Sequence, residues 1–356
     1  MTPRVNIDLT GITANARKMK NKCDQENIKL TGVVKGSAGD VRVARAFISG
    51  GIDSIADSRL RNIKILREAG FEKEEMVLLR LPQLSKVGEV VKYADVSLVS
   101  ELKTIKALSE AAVAQNKIHE IIIMVDVGDL REGVMPEDLS DFIAVIIDLE
   151  GVRINGLGTN VGCYGGVLPT PENTRKLVEL KEKLLLEYDI NLSVISGGNT
   201  ATTKLLDEGM LPAGVNNFRV GEAILQGTDI THQRKISGLK KDNFTLTASV
   251  IELKKKPSVP EGEIGHDAFG GKPQFEDKGI RKRAILAIGR QDVKVDGLTP
   301  LISGAEIIGA SSDHLLLDVT EVEKDLTIGD KIDFSLDYGA MLALMTSPYV
   351  EKKYLE

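Results

Sequence analysis

The chain has 356 residues, and its 46 lysines and arginines against 52 aspartates and glutamates give a net charge of −6. This length predicts roughly two domains, and the even mixture of charges gives no reason to expect a nucleic-acid partner. A hydrophobic fraction of 42% is typical of a soluble globular protein. Without a signal-like N-terminus or a long apolar run, the sequence predicts a cytoplasmic protein that does not enter membranes.

The first stretch of functional interest ends at a lysine. Residues 4–8 alternate like a strand, and residues 10–27 have the pattern of a helix. The apolar residues 30–34 then predict a buried strand that leads to Lys35, and a loop of small residues follows. A lysine at the end of a buried strand is costly unless it is paired or neutralised, which suits it to act as a nucleophile. The alternative is a lysine that reaches solvent at the strand end.

A regular alternation of apolar strand, polar loop and amphipathic helix follows. The predicted strands are 30–35, 52–57, 75–80, 94–99, 119–126, 152–159, 192–197 and 216–220. The predicted helices between them include 41–50, 59–69, 84–92, 100–116, 137–149, 171–188 and 200–208. Eight such strands predict a closed (β/α)₈ barrel, which we place at residues 8–233.

Polar residues collect where these strands end, which is where barrels of this kind have their active sites. Lys35 follows the first strand, and Arg131 comes shortly after the fifth. The other strand ends have Asp57 and Ser58, Arg80, Asp126, Thr159 and Asn160, residues 196–200, and residues 219–222. Each residue taken alone could instead cap a helix or form a surface ion pair. The whole set predicts a site at the carboxyl ends of the strands.

Two glycine-containing loops follow the last two barrel strands. The sequence ISGGNTAT at 195–202 puts two glycines before a predicted helix start, and FRVGEAI at 218–224 puts Gly221 in the matching place. Free backbone N–H groups at such positions suit a phosphate. Together with a nucleophilic lysine, they predict a cofactor that has both a phosphate and a carbonyl group. Pyridoxal 5'-phosphate meets both requirements.

The pattern changes after about residue 235. Helical periodicity is lost, and strands are predicted at 244–255, 281–289, 305–310, 314–320 and 330–336. We therefore expect a second, all-β domain at residues 234–356, joined by residues 1–7 and strand 4–8. Its long loops at 256–280 and 289–304 are of the kind that are functional or disordered. Cys23 and Cys163 lie too far apart, and too far from other ligands, to indicate a disulfide scaffold or a zinc site.

Several segments resemble one family, the pyridoxal-phosphate-dependent alanine racemase fold, over nearly the full chain. They include GVVKGSAGD, MVDVGDLREGV, GLGTNVGCYGGV, ISGGNT, FRVGEAIL, GEIGHDAFG and DYGAMLALMTSPYV. The likeness is greatest to the ornithine racemase branch. It implies that Lys35 binds the cofactor covalently and acts as an acid and base on one face of it. It also implies that Arg219 faces the pyridine nitrogen, which keeps that nitrogen unprotonated and favours racemisation over decarboxylation.

The resemblance implies further cofactor contacts around the ring and the phosphate. Asn160 stands where alanine racemases have a histidine near the ring. The remaining expected contacts are Asn199, Thr200, Gly221, Glu222 and Tyr349.

A head-to-tail homodimer is also implied, in which the β domain of one subunit completes the barrel site of the other. Alanine racemases present a tyrosine from that domain, whereas the corresponding stretch here, residues 262–270, has none. His266 is the nearest candidate for the second catalytic base, since histidine transfers protons near neutral pH. A solvent-exposed loop histidine is the alternative.

The predicted substrate contacts are Arg131, Ser312 and Asp313. Asp313 could bind the distal ammonium of ornithine or lysine, or could cap a turn. The expected function is a racemase that interconverts L- and D-ornithine. The alternatives are a racemase of alanine, lysine or another amino acid, a decarboxylase, and a cofactor-binding carrier or regulatory protein without turnover.

Overall fold

The computed structural model describes residues 3–356, which divide into two compact units. Leu9–Lys241 form the first unit. The second contains Asp242–Glu356 together with the N-terminal residues through Asp8, which include strand β1 (Arg4–Asp8). The N-terminal strand therefore belongs with the C-terminal part of the chain.

Eight parallel strands of the first unit close into a barrel, which confirms the predicted (β/α)₈ architecture. Strands β2 and β9 pair to complete the circle. Most of the barrel-strand residues are buried, because one face lines the interior and the other packs under helices. The strands are β2 (Lys29–Val33), β3 (Ser54–Asp57), β4 (Glu75–Leu78), β5 (Val96–Val99), β6 (His119–Met124), β7 (Val152–Gly158), β8 (Val194–Ser196) and β9 (Asn217–Val220).

Helices separate the strands, and several begin at a clear capping residue. Asp40 accepts the N–H groups of Arg42 and Val43 to begin the second helix. Thr170 and Asn173 form a reciprocal capping box at the start of the seventh. The helices are α1 (Leu9–Gln25), α2 (Val41–Ser49), α3 (Leu60–Glu68), α4 (Val87–Tyr93), α5 (Leu102–Ala114), α6 (Leu139–Ile146), α7 (Pro171–Tyr188), α8 (Thr203–Asp207) and α9 (Glu222–Gln226).

His119, at the amino end of β6, is buried away from the carboxyl ends of the strands. Its Nε2 lies 2.8 Å from the Ser97 hydroxyl, and burial lowers the pKa of the imidazole from 6.5 to about 4. The unfolded chain therefore takes up this proton at higher pH than the folded chain does. The stability that the neutral imidazole contributes is complete above pH 6.5 and is lost as the pH falls toward 4.

We expect His119→Gln to reduce the acid sensitivity of the fold. Between pH 7 and pH 4 the wild-type chain should lose about 3 kcal/mol of unfolding free energy through this one group, and the variant should not. Urea unfolding at a series of pH values measures the difference. His314→Gln, which removes an exposed imidazole, is the matched control, and equal pH profiles for all three proteins would show that His119 does not contribute.

A short hairpin of β10 (Thr228–Asp229) and β11 (Arg234–Lys235) ends the first unit. Arg234 donates to Asp207 of α8 at 2.6 Å and to the buried Asp229 at 2.9 Å, which fixes the hairpin to the barrel. The expected boundary between residues 233 and 234 would divide this hairpin. The boundary after Lys241 keeps its ion pairs within one unit.

The second unit is built on a mainly antiparallel sheet with the order β14-β17-β12-β13-β16-β15, and β1 pairs with β12 and with β18. A second, all-β domain was predicted, and this sheet confirms it. The unit also contains one helix that the sequence reading did not include. Its elements are β12 (Phe244–Pro257), β13 (Ile280–Leu286), β14 (Leu298–Pro300), β15 (Glu306–Ala310), β16 (Leu315–Asp318), β17 (Lys331–Leu336), α10 (Tyr338–Thr346) and β18 (Glu351–Leu355).

None of the helices within residues 3–356 has both the length and the apolar composition that a bilayer crossing requires.

Candidate active site

Lys35 lies just beyond the carboxyl end of β2, in a short 3₁₀ turn formed by Lys35–Ser37. The Ser37 hydroxyl donates to the Val34 carbonyl at 2.9 Å, and Ala38 closes the turn in the left-handed conformation at φ 56°. Gly36 and Ser37 are buried, whereas Lys35 is only partly buried. The turn therefore holds the lysine backbone in place while its side chain reaches a cavity.

The cavity has a volume of about 430 Å³ and is lined by residues of the barrel unit. Four of the lining side chains are cationic, and one, Glu132, is a carboxylate. The lining residues are Lys35, Ser58, Arg59, Leu79, Arg80, Leu81, Arg131 and Glu132. Such a cavity attracts small anionic groups such as carboxylates and phosphates.

Asp57 ends β3 and is fully buried. Burial raises the pKa of its carboxyl group from 3.8 to about 6, although the Arg59 N–H, the Asn62 amide and the charge of Lys35 each act in the opposite direction. The Arg59 N–H donates to Oδ1 at 2.7 Å, and Asn62 donates to both oxygens at 3.1 Å. Asp57 thus organises the start of α3 and places a negative charge near Lys35 at neutral pH.

The loop after β6 is closed on itself and holds Arg131 and Glu132. The Asp126 N–H donates to the Val134 carbonyl at 3.0 Å, and the Val134 N–H donates to the Met124 carbonyl at 2.8 Å. Inside the loop, Asp126 Oδ1 accepts the Gly128 N–H at 2.8 Å. The sequence left helix capping open as a role for Asp126, and the structure shows that it caps this loop instead.

A second aspartate joins this loop to the next one. Asp129 is buried and accepts the N–H groups of Tyr164 at 3.0 Å and Val167 at 3.3 Å, both in the loop after β7. Two adjacent strand-end loops are therefore fixed to each other, which limits the movement of the loop that presents Arg131 and Glu132 to the cavity.

Arg219 points into the barrel from β9 and is only 5% exposed. Its guanidinium donates to the Ser196 hydroxyl and to the Thr159 carbonyl. Burial lowers the pKa of Arg219 to about 10, so it remains a cation at neutral pH. No carboxylate among the described residues forms an ion pair with it, which leaves a buried cation with hydrogen-bonding capacity for a ligand.

Further buried hydrogen bonds support the strands that hold this arginine. Asn217, two residues earlier on β9, donates to the Thr31 hydroxyl of β2 at 3.1 Å, and the Ser54 hydroxyl of β3 donates to the same oxygen at 2.9 Å. These bonds cross the point where the barrel closes, so they connect the strand of Lys35 with the strand of Arg219.

The two glycine loops lie side by side at the ends of β8 and β9. The Arg219 N–H donates to the Gly198 carbonyl at 2.9 Å, and the Thr200 hydroxyl accepts the Ala223 N–H at 3.3 Å. Within residues 3–356, the N–H groups of Gly198, Asn199, Thr200 and Gly221 donate to no acceptor. Four unpaired donors at adjacent loops form a site that suits a phosphate.

Glycine is required at two positions in these loops. Gly198 has φ +123°, and a Cβ there would lie 2.6 Å from the Thr202 hydroxyl. A Cβ at Gly221 would lie 2.8 Å from the carbonyl oxygen of Val33, at the end of the Lys35 strand. Any larger residue would force the loops apart or strain the backbone.

The side chains of Asn160 and Asn199 bond to each other, at 3.1 Å. Asn199 also donates to the Val161 carbonyl at 2.8 Å, and its oxygen accepts the Ala201 N–H at 2.8 Å. The amide of Asn199 is therefore used to hold the loop after β7, which leaves its backbone N–H, and not its side chain, for a ligand. Asn160 also donates to Cys163 Sγ at 2.9 Å.

The Glu222 carboxylate points toward the β10–β11 hairpin and not toward the unpaired N–H groups of the glycine loops. It accepts the Thr228 hydroxyl and the Ile230 N–H, both at 2.8 Å. A role for Glu222 in holding an anion would therefore depend on its backbone, at the start of α9.

The remaining predicted residues belong to the second unit, where each is exposed. His266 lies in a loop whose turn is closed by Asp267, which accepts the N–H groups of Phe269 and Gly271. Asp313 accepts the Ser312 hydroxyl at 2.9 Å, while Ser311 and not Asp313 closes the local turn with His314. Tyr349 is 68% exposed. The roles predicted for these residues stay predictions.

The first unit thus brings together Lys35, Arg131, Asn160, Arg219 and the glycine loops. Sequence reasoning missed Glu132, although it directly follows Arg131. An arginine and a glutamate next to each other in a strand-end loop indicate a possible ion pair in the site. Their adjacency in sequence does not show that the two side chains point in the same direction.

Comparison with known proteins gives matches that span the chain. The family model for the alanine racemase N-terminal domain matches residues 7–229. The chain is 46% identical over 356 residues to the ornithine racemase of Acetoanaerobium sticklandii, with all of both chains covered. It is 44% identical to the lysine racemase of Thermotoga maritima, with 99% of this chain and 98% of the other covered. An alanine racemase structure from E. faecalis has the same fold, with a TM-score of 0.74 at 19% identity over 99% of this chain and 98% of that one.

Proposed function

This chain belongs to the alanine racemase family, and from that premise we propose that it is a pyridoxal 5'-phosphate-dependent racemase that interconverts L- and D-ornithine. The likeness in sequence to an ornithine racemase over the whole of both chains supports the substrate. The lysine racemase is almost as similar, so lysine is the second candidate substrate. Ornithine and lysine are both basic amino acids, so the two relatives agree on this chemical class of substrate.

The single observation that supports the cofactor best is the grouping of Lys35, Arg219 and the glycine loops on three adjacent strand ends, those of β2, β9 and β8. The family depends on pyridoxal phosphate, and these residues fit it. The unpaired N–H groups suit the phosphate, the buried cation Arg219 has no carboxylate partner within residues 3–356, and Lys35 is the amine that would hold the aldehyde carbon.

Each residue then has a distinct task. When bound, pyridoxal phosphate supplies an electron-withdrawing ring that eases loss of the Cα proton of an attached amino acid. Lys35 holds or removes a proton on one face of Cα. Arg219 would donate a hydrogen bond to the ring nitrogen and so disfavour its protonation, which would keep the ring a weaker electron acceptor and favour return of a proton to Cα. Arg131 binds the substrate carboxylate in this proposal, and its position in the lining of the Lys35 cavity supports that role.

Racemisation also needs an acid and base on the opposite face of Cα. The described lining of the Lys35 cavity contains no histidine and no tyrosine. We infer that His266 of a second copy of this chain supplies the group, in a head-to-tail homodimer. The substrate contacts of Ser312 and Asp313, the phosphate contact of Tyr349 and the cytoplasmic location belong to this proposal as well.

Incubation of the pure holoenzyme with L-ornithine tests the function. Optical rotation should fall to zero, and it should also fall to zero from D-ornithine, because the two enantiomers have equal free energy. Release of carbon dioxide would identify a decarboxylase instead. A protein that binds the cofactor but leaves the rotation unchanged with ornithine, lysine and alanine would be a carrier or regulator without turnover.

Arg219→Lys should lower racemase kcat/KM about 100-fold while the chain still folds. Lysine keeps the positive charge, but without the planar fork it cannot contact Ser196, Thr159 and a ring nitrogen at once. Kinetics in both directions and absorbance titration with pyridoxal phosphate measure the effect on turnover and on cofactor affinity.

Arg153→Lys is the matched control, because Arg153 is an exposed arginine on β7, two strands away from β9 in the barrel. It should match the wild type. If Arg219→Lys also matched the wild type to within threefold in kcat/KM, a role for Arg219 at the ring nitrogen would be excluded.

A further inference from the structure

Glu132 is the one carboxylate among the described residues that line the Lys35 cavity. We propose that it binds the side-chain ammonium of the basic substrate and thereby selects for basic amino acids. This inference rests on the proposed function, because it assigns a specificity residue to the same site.

The geometry leaves the Glu132 carboxylate able to accept another donor. The Arg131 guanidinium pairs with it through two nitrogens, one to each carboxylate oxygen. Each oxygen has a second lone-pair direction, so the pair can still accept an ammonium. The Glu132 side chain is only 19% exposed and lines the cavity beside Lys35.

The charges around the cavity explain why this carboxylate would decide the substrate. Lys35, Arg59, Arg80 and Arg131 favour the α-carboxylate of any amino acid, but they repel a second ammonium group. Glu132 can offset that repulsion by a charge-assisted hydrogen bond. A neutral side chain gains nothing from this carboxylate, so the discrimination depends on the ammonium itself.

The loop that holds Glu132 is suited to fix its position. Bonds between Met124, Asp126 and Val134 close the base of the loop, and Asp129 fastens it to the loop after β7. A Cβ at Gly133 would lie 2.3 Å from the Asp126 nitrogen, so the chain next to Glu132 is packed directly against the loop base. Because the Glu132 carboxylate is held firmly, it favours substrates whose ammonium group lies at the right distance as well as those that carry the right charge.

Glu132→Gln tests the proposal when L-ornithine is compared with L-norvaline, which has the same carbon chain without the terminal amine. For ornithine, kcat/KM should fall between about 10-fold and 100-fold, mainly through KM. For norvaline it should change less than about threefold. Glu132→Asp should regain part of the ornithine activity, because it restores the charge one methylene further away.

Two variants serve as controls. Glu137→Gln removes an exposed carboxylate a few residues later and should leave both substrates unaffected. Asp313→Asn tests the other acidic residue that is proposed to contact the substrate, and it should change the ratio of ornithine to norvaline kcat/KM less than Glu132→Gln does. A loss of preference in Asp313→Asn with none in Glu132→Gln would overturn the proposal.

An equal loss for ornithine and norvaline in Glu132→Gln would also overturn it, because Glu132 would then only position Arg131 or transfer a proton. Thermal shift of the holoenzyme with each amino acid gives a readout that does not depend on turnover. If the wild type bound ornithine without racemising it, the proposed function would fail. Selective loss of that binding in Glu132→Gln would still support the assignment of Glu132, and unchanged binding would refute it.

Discussion

Lys35→Ala is expected to abolish racemisation, with a fall in kcat of at least about 10⁴-fold. The substitution removes both the amine that would hold the cofactor and the group that would move the Cα proton on one face. The cofactor should then be lost on gel filtration, together with its visible absorbance. Kinetics with both enantiomers of ornithine and absorbance after gel filtration measure the two effects separately.

Lys29→Ala provides the matched control. Lys29 begins the same strand, β2, but it is exposed and pairs with Glu75 at 2.9 Å at the other end of the barrel. This variant should keep its activity and its cofactor. Unchanged absorbance in Lys35→Ala would remove the basis for assigning Lys35, and with it the proposed cofactor site.

His266→Phe is expected to slow proton exchange on one face of Cα more than on the other. If Lys35 serves one face and His266 of a second copy the other, removal of the imidazole should slow proton exchange of one enantiomer by about 100-fold more than that of the other. The reason is that Lys35 can still exchange the proton on its own face. Pre-steady-state exchange of Cα hydrogen in deuterium oxide, measured for L- and D-ornithine, gives the ratio.

His314→Phe controls for the loss of an exposed histidine elsewhere in the same unit. Equal, near-normal exchange of both enantiomers in His266→Phe would assign the second base to another residue. Mixing Lys35→Ala with His266→Phe adds a test of the dimer. If each site takes His266 from a second copy, mixed dimers should regain activity, because one of their two sites has both Lys35 and His266.

The barrel could be predicted because the signals for it are local. Strands such as β4 and β6 contain short apolar runs, α7 has Pro171 next to its capping threonine, and a helix follows each strand. Local patterns were less informative at α10. Its apolar residues lie on all sides of the helix, so no amphipathic period indicates it, and the Asp337 cap that begins it is a single residue.

The sequence by itself determined which residue types stand at the ends of the barrel strands. The place of Lys35 after an apolar strand, and of the glycines after β8 and β9, follows from alternation and turn chemistry within a few residues. The parallel topology then requires all of these residues to lie on one face of the barrel.

Only the tertiary structure decided what each side chain does there. The Asn199 amide holds the loop after β7, Glu222 turns to the hairpin, and Glu132 faces the Lys35 cavity. Each of these orientations depends on partners in another loop or on the fold of the loop itself. Hydrogen bonds and ion pairs fix the orientation of a side chain only after distant segments have packed together. The local order of residues along the chain does not determine that orientation.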